Sequence, residues 1–129
     1  MPVDSHTTRT ALIIAPASIW RDALVSLVRA QPQLRVDHIL DHFEKARAML
    51  TRQRVDIVLA ENGADAPGLL DFIAWLHDTQ PAVRCVVAVD TQSQQACCLA
   101  AGAHATLLKG CLDDALLQQA CLLYTSRCV

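Results

Sequence analysis

The feature that most constrains this chain is a repeated alternation. Five short apolar runs of strand length are each followed by a segment with helical spacing. The runs are Thr10 to Ala15, about Arg35 to Leu40, Val55 to Ala60, Val83 to Val89 and His104 to Leu108. The unbroken apolar centres of the third and fourth imply strands buried on both faces. Between the runs lie predicted helices over about 18–31, 42–52, 68–78 and 92–101, and a last one over 112 to about 124. Ser18 can cap the first, Pro32 stops it, and Gly102 ends the fourth. Asn62-Gly63 and Pro67-Gly68 read as turns.

This order predicts an α/β fold of three layers, a flavodoxin-like (βα)5 doubly wound sheet. Its five parallel strands should run in the order 2-1-3-4-5. With 129 residues the chain has room for one such domain. Residues 1–9 are expected to fray, 10–124 to form the domain and 125–129 to be a C-terminal tail. Aromatic residues make up only 4% of the chain, so the core must be built from Ala, Val, Leu, Ile and Cys.

Charge and composition exclude several classes. The formal net charge is −2 and there is no basic block, so nucleic-acid binding by these residues is not expected. No apolar stretch reaches the length of a membrane span, and "MPVDSHTTRT" has no apolar signal segment. A soluble cytoplasmic protein is the expectation. The six cysteines include no C-x-x-C pair and fit neither a zinc site nor a redox motif. Most are read as small buried hydrophobes, with Cys97 and Cys128 the accessible ones. His38 and His42 would share a face only on a helix, and their segment reads as strand then loop, so no metal site is assigned there.

Ligands of open parallel sheets bind beyond the carboxyl ends of the strands. The residues placed there are Ala15, Pro16 and Ala17, then Glu61, Asn62 and Gly63, then Val89, Asp90 and Thr91, and finally Lys109 and Gly110. Glu61 and Lys109 thus lie on one functional edge.

Three stretches carry a resemblance: "RDALVSLVRAQPQLRV" (Arg21 to Val36), "VDIVLAE" (Val55 to Glu61) and "AAGAHATLLKG" (Ala100 to Gly110). Over about residues 10–124 the chain resembles the receiver domain of two-component response regulators. It looks most like the receivers joined to LuxR-type helix-turn-helix domains. The resemblance implies phosphoryl transfer from a histidine kinase to an aspartate ending strand three. It also implies Mg²⁺ held partly by two acids after strand one, a Thr or Ser ending strand four, an aromatic in strand five and a lysine ending it.

Most of that set is replaced. The acid pair falls on Ala15 and Pro16, the phosphoacceptor position is Glu61, the hydroxyl position is Val89 and the aromatic position is Thr106. Lys109 alone is retained. Mg²⁺ wants several oxygen ligands, so none is expected to bind, and without it a phosphoryl donor meets uncompensated repulsion at Glu61. Asp65 and Asp90 are the candidate substitute acids. A Glu61–Lys109 ion pair is expected, since the fold brings the two strand ends together.

The resemblance therefore implies a degenerate receiver, not an enzyme and without a cofactor, that signals through protein–protein contact as the regulatory part of a transcription regulator. The tail either leads to an output domain outside these residues or ends a module that acts alone. The alternatives are an unconventional but phosphorylatable receiver and a flavodoxin-like cofactor-binding protein. The second is disfavoured by the scarcity of aromatics to sandwich a flavin. The last helix, with a core stripe of Leu112, Leu116, Ala120 and Leu123, would leave Leu117, Cys121, Leu122 and Tyr124 partly outside it. A helix apolar on more than one side hides the excess against a partner, so a homodimer through this helix is expected.

Overall fold

A computed structural model of the chain describes residues 8–61, 66–111, 113 and 117. The order of elements is β1 Arg9–Ile14, α1 Ile19–Arg29, β2 Leu34–Leu40, α2 Phe43–Leu50, β3 Ile57–Glu61, α3 Ala66–Thr79, β4 Arg84–Val89, α4 Gln92–Ala101 and β5 Ala105–Leu108. A 3₁₀ turn over Lys109–Cys111 follows β5. The five strands form one parallel sheet in the order β2-β1-β3-β4-β5, as the alternation predicts.

Successive strand residues point to opposite faces, and each face has its own core. On one face Leu12, Val58, Val87 and Val89 pack under α2, α3 and α4, with Phe72 the largest fully buried side chain. On the other, Ala11, Ile13, Ile57 and Leu59 pack under Leu24 and Val28 of α1 and under Leu117. Burial on both faces explains why β3 and β4 are buried along their whole length.

Local chemistry sets the helix ends. The Ser18 side chain accepts from the Arg21 N–H and caps α1. Thr91 and Gln94 form a reciprocal capping box at the start of α4. Gly102 ends α4 with φ 122°, a conformation other residues rarely adopt. A Cβ there would also stand 2.9 Å from the Cβ of His77, so the helix end is both turned and tightly packed.

Two expectations are corrected. Pro67 and Gly68 do not form a turn ahead of α3; they lie in its first turn, where a proline loses no helical hydrogen bond. Leu117, expected on a partner-facing side of the last helix, is fully buried in the core of this domain. The adjacent Leu116 and Leu117 allow two helix phases about 100° apart. Packing against the α1 side of the sheet selects the phase that buries Leu117. Cys121, Leu122 and Tyr124 lie outside the described residues. Among the described residues no helix is long and apolar enough to cross a membrane.

Candidate functional site at the strand ends

The carboxyl ends of β1, β3, β4 and β5 meet at one edge of the sheet. Glu61 is the last residue of β3 and pairs in register with Ala88 of β4. Lys109 immediately follows β5. Its Nζ lies 2.7 Å from Glu61 Oε2 and 3.6 Å from Asp90 Oδ1. The two side chains of the closer pair are only 17% and 9% exposed, so their attraction is poorly screened. Asp90 is 58% exposed and makes the weaker, water-facing contact.

Lys109 has a third neighbour that the strand-end reading missed. Its Nζ lies 5.0 Å from the centroid of the Trp20 ring, within cation–π range. Trp20 sits in the first turn of α1, two residues after the Ser18 cap. The signal was an aromatic just inside that helix, but only the packing that brings the start of α1 to Lys109 gives it meaning.

Ala15 and Pro16 end the β1 side. Neither side chain carries an oxygen, and the Ala15 carbonyl accepts from Arg21 Nη1 at 3.1 Å. A guanidinium therefore holds that carbonyl. Glu61 has one oxygen on Lys109, and its other, Oε1, is buried without a hydrogen-bond partner among the described residues. Asp90 turns to Lys109 rather than joining a ligand set. Among the described residues no three His, Cys, Asp or Glu side chains come together as a metal group would require. The described part of this donor set does not fit a Mg²⁺ ion. Asp65 lies outside the described residues, as do Asn62 and Gly63.

The two remaining positions are tied to local structure. Val89 is fully buried and pairs with Leu108. The nearby Thr91 hydroxyl is committed to capping α4, and Gln94 Oε1 accepts from the Asp90 and Thr91 N–H groups. Thr106 is held from α4, because Gln95 Nε2 donates to its Oγ1 at 3.0 Å. β5 is thus bonded to the helix beside it.

The chain matches no protein-family model and no curated protein sequence. Solved structures do match. A two-component response regulator of the LuxR family from Aurantimonas sp. SI85-9A1 is 21% identical, with a TM-score of 0.76 over 88% of this chain and 81% of that one. This chain has the receiver fold. RcsB from Salmonella enterica serovar Typhimurium, bound to a promoter, shares that receiver fold at 11% identity and a TM-score of 0.71, over 86% of this chain and 65% of that one. An atypical orphan response regulator with a phosphorylation-independent regulatory mechanism is 15% identical, with a TM-score of 0.70 over 86% and 91% of the two chains.

Proposed function

We propose that this receiver-fold chain is a signalling domain that works without being phosphorylated. The supporting observation is the 2.7 Å contact of Lys109 Nζ with Glu61 Oε2 at an edge where Ala15 and Pro16 offer no metal ligands. The resemblance to receivers makes the lysine the partner of a phosphoryl group carried on an aspartate. Here a glutamate, one methylene longer than aspartate, reaches the lysine permanently. The site is held in one state, and its output is contact with other proteins rather than catalysis.

Two features extend the reading. Solved neighbours include a regulator bound to promoter DNA, which supports a role as the regulatory part of a transcription regulator. The chain's own net charge of −2 argues that any DNA contact is made by another domain. A homodimer through the last helix remains part of the proposal, with Cys121, Leu122 and Tyr124 as its face and Leu117 withdrawn to the core.

The test is intact mass after incubation with acetyl phosphate and Mg²⁺, on the native chain and on Glu61→Asp. The native chain should gain no phosphoryl mass. An adduct on the native chain overturns the reading and makes Asp65 and Asp90 the first residues to map.

A further inference from the structure

A groove of about 440 Å³ lies at the edge of the sheet opposite Lys109, where α2 and α3 end and β3 and β4 begin. Arg52 and Arg54, in the turn after α2, line it on one side. Pro81 and Ala82, just before β4, give it an exposed apolar side. Among the described residues no aspartate or glutamate lines it. Both arginines are exposed, and neither forms an ion pair among the described residues.

The other charges at this edge do not neutralise them. Asp37 pairs with Arg35 at 2.9 Å. Asp56 accepts from the Thr10 N–H at 2.9 Å and from Thr10 Oγ1 at 3.3 Å. Asp78 is exposed in the last turn of α3 and does not line the groove. Arg9 and Arg84, which begin β1 and β4, add positive charge to the same edge and already have partners.

A helix C-terminus presents carbonyls and a partial negative charge, which would oppose an anion. Here those carbonyls are occupied. The Thr51 N–H donates to Arg47 O, those of Arg52 and Gln53 to Met49 O, and that of Gln80 to Leu76 O. Side chains cover three more: Thr51 Oγ1 donates to Ala48 O, Gln80 Nε2 to Leu50 O and Thr79 Oγ1 to Trp75 O. The two guanidiniums are therefore the dominant charge at the groove, and they favour an anion.

An open groove with an apolar side suits an extended segment better than an enclosed small anion. Guanidinium groups match carboxylates in a bidentate fork. Nucleic acid is a poorer match, because its affinity needs many phosphate contacts and the chain's net charge is −2.

We propose that this groove docks an acidic segment of a partner protein. Its carboxylates meet Arg52 and Arg54, and an apolar side chain between them lies on Pro81 and Ala82. The surface is remote from the Glu61–Lys109 pair. It names the chemistry of one protein contact, and it rests on the proposed function only for that contact's role in signalling. Its test involves no phosphodonor, so either reading can fail without the other.

The experiment is an ¹⁵N–¹H correlation titration of the full chain with an end-blocked pentapeptide alternating glutamate and leucine. Peptides with glycine for leucine, or lysine for glutamate, are the controls, and inorganic phosphate and a short DNA duplex are the competing anions. The probe should give saturable shifts at the Thr51, Arg54, Gln80 and Ala82 amides, with a Kd of about 1 mM at low salt that weakens severalfold at about 0.3 M salt. The glycine peptide should bind severalfold more weakly, and the lysine peptide should give no shifts there. Arg52→Glu and Arg54→Glu, both at exposed positions, should each weaken the probe about tenfold. Lys45→Glu makes the same change in net charge in the first turn of α2, at the other end of that helix, and should leave the affinity within about twofold. No saturable shift, affinity unmoved by the two arginine variants, an equal loss with Lys45→Glu, or binding of phosphate or the duplex at these amides as tight as the probe's would overturn the proposal.

Discussion

Lys109 and Glu61, 48 residues apart, form a direct ion pair with 2.7 Å between Nζ and Oε2. The pair ties the ends of β3 and β5 across β4, which lies between them in the sheet. Trp20 covers the lysine from α1, at 5.0 Å from its Nζ. Three elements thus converge on one ammonium group, and the energetics of that group test the site.

Lys109→Met should destabilise the fold by about 3 kcal/mol, because it leaves Glu61 buried without a counter-charge. Adding Glu61→Gln to it should restore much of the loss, since no buried charge then remains unpaired. Urea unfolding of the two single variants and the double variant measures the coupling. Strictly additive losses would mean that the contact carries no energy of its own.

Gly102→Ala should cost about 2–3 kcal/mol. Its φ of 122° disfavours any side chain, and the added Cβ would meet the His77 Cβ at 2.9 Å. The same change at Gly110, where a Cβ would find nothing within 4 Å, should be nearly neutral. Thermal unfolding of the two variants side by side separates this local cost from a general one.

His104 makes the fold sensitive to acid. Its Nδ1 accepts the Cys85 N–H at 3.0 Å, which requires the neutral ring. Partial burial, then the positive charges of Arg84 and His77, hold its pKa below the ordinary value of 6.5. In the unfolded chain His104 therefore takes up its proton at higher pH than in the folded one. The stabilisation is complete above about pH 6.5 and is lost as pH falls through the lower folded-state value. Urea midpoints taken across that window should fall on acidification, and His104→Gln should fall less steeply.

Of the three thiols whose surroundings are described, Cys97 is exposed while Cys85 and Cys98 are buried. Burial pushes the Cys85 thiol up to about 12, and burial also raises that of Cys98. The thiolate is the reactive form, so iodoacetamide should modify Cys97 first and reach the other two only in denaturant. Peptide mapping by mass spectrometry after a short exposure reads this directly. Early labelling of Cys85 would mean that β4 opens readily in the native chain.

The sequence by itself determined the order of elements and the strand ends. Apolar runs such as "IVLA" in β3 and "CVVAV" in β4 can be buried only inside a sheet covered on both sides, and helical spacing between them supplies the cover. From that order alone, Glu61 and Lys109 fall at one edge. Only the tertiary structure decided what stands around them. It put Trp20 beneath Lys109, turned Leu117 inward, absorbed Pro67 and Gly68 into α3 and opened the groove that Arg52 and Arg54 line. The reason is that hydrophobic period records which side of an element is buried. It does not record how far a helix slides or rotates over the sheet. Where neighbouring residues such as Leu116 and Leu117 are equally apolar, long-range packing makes that choice.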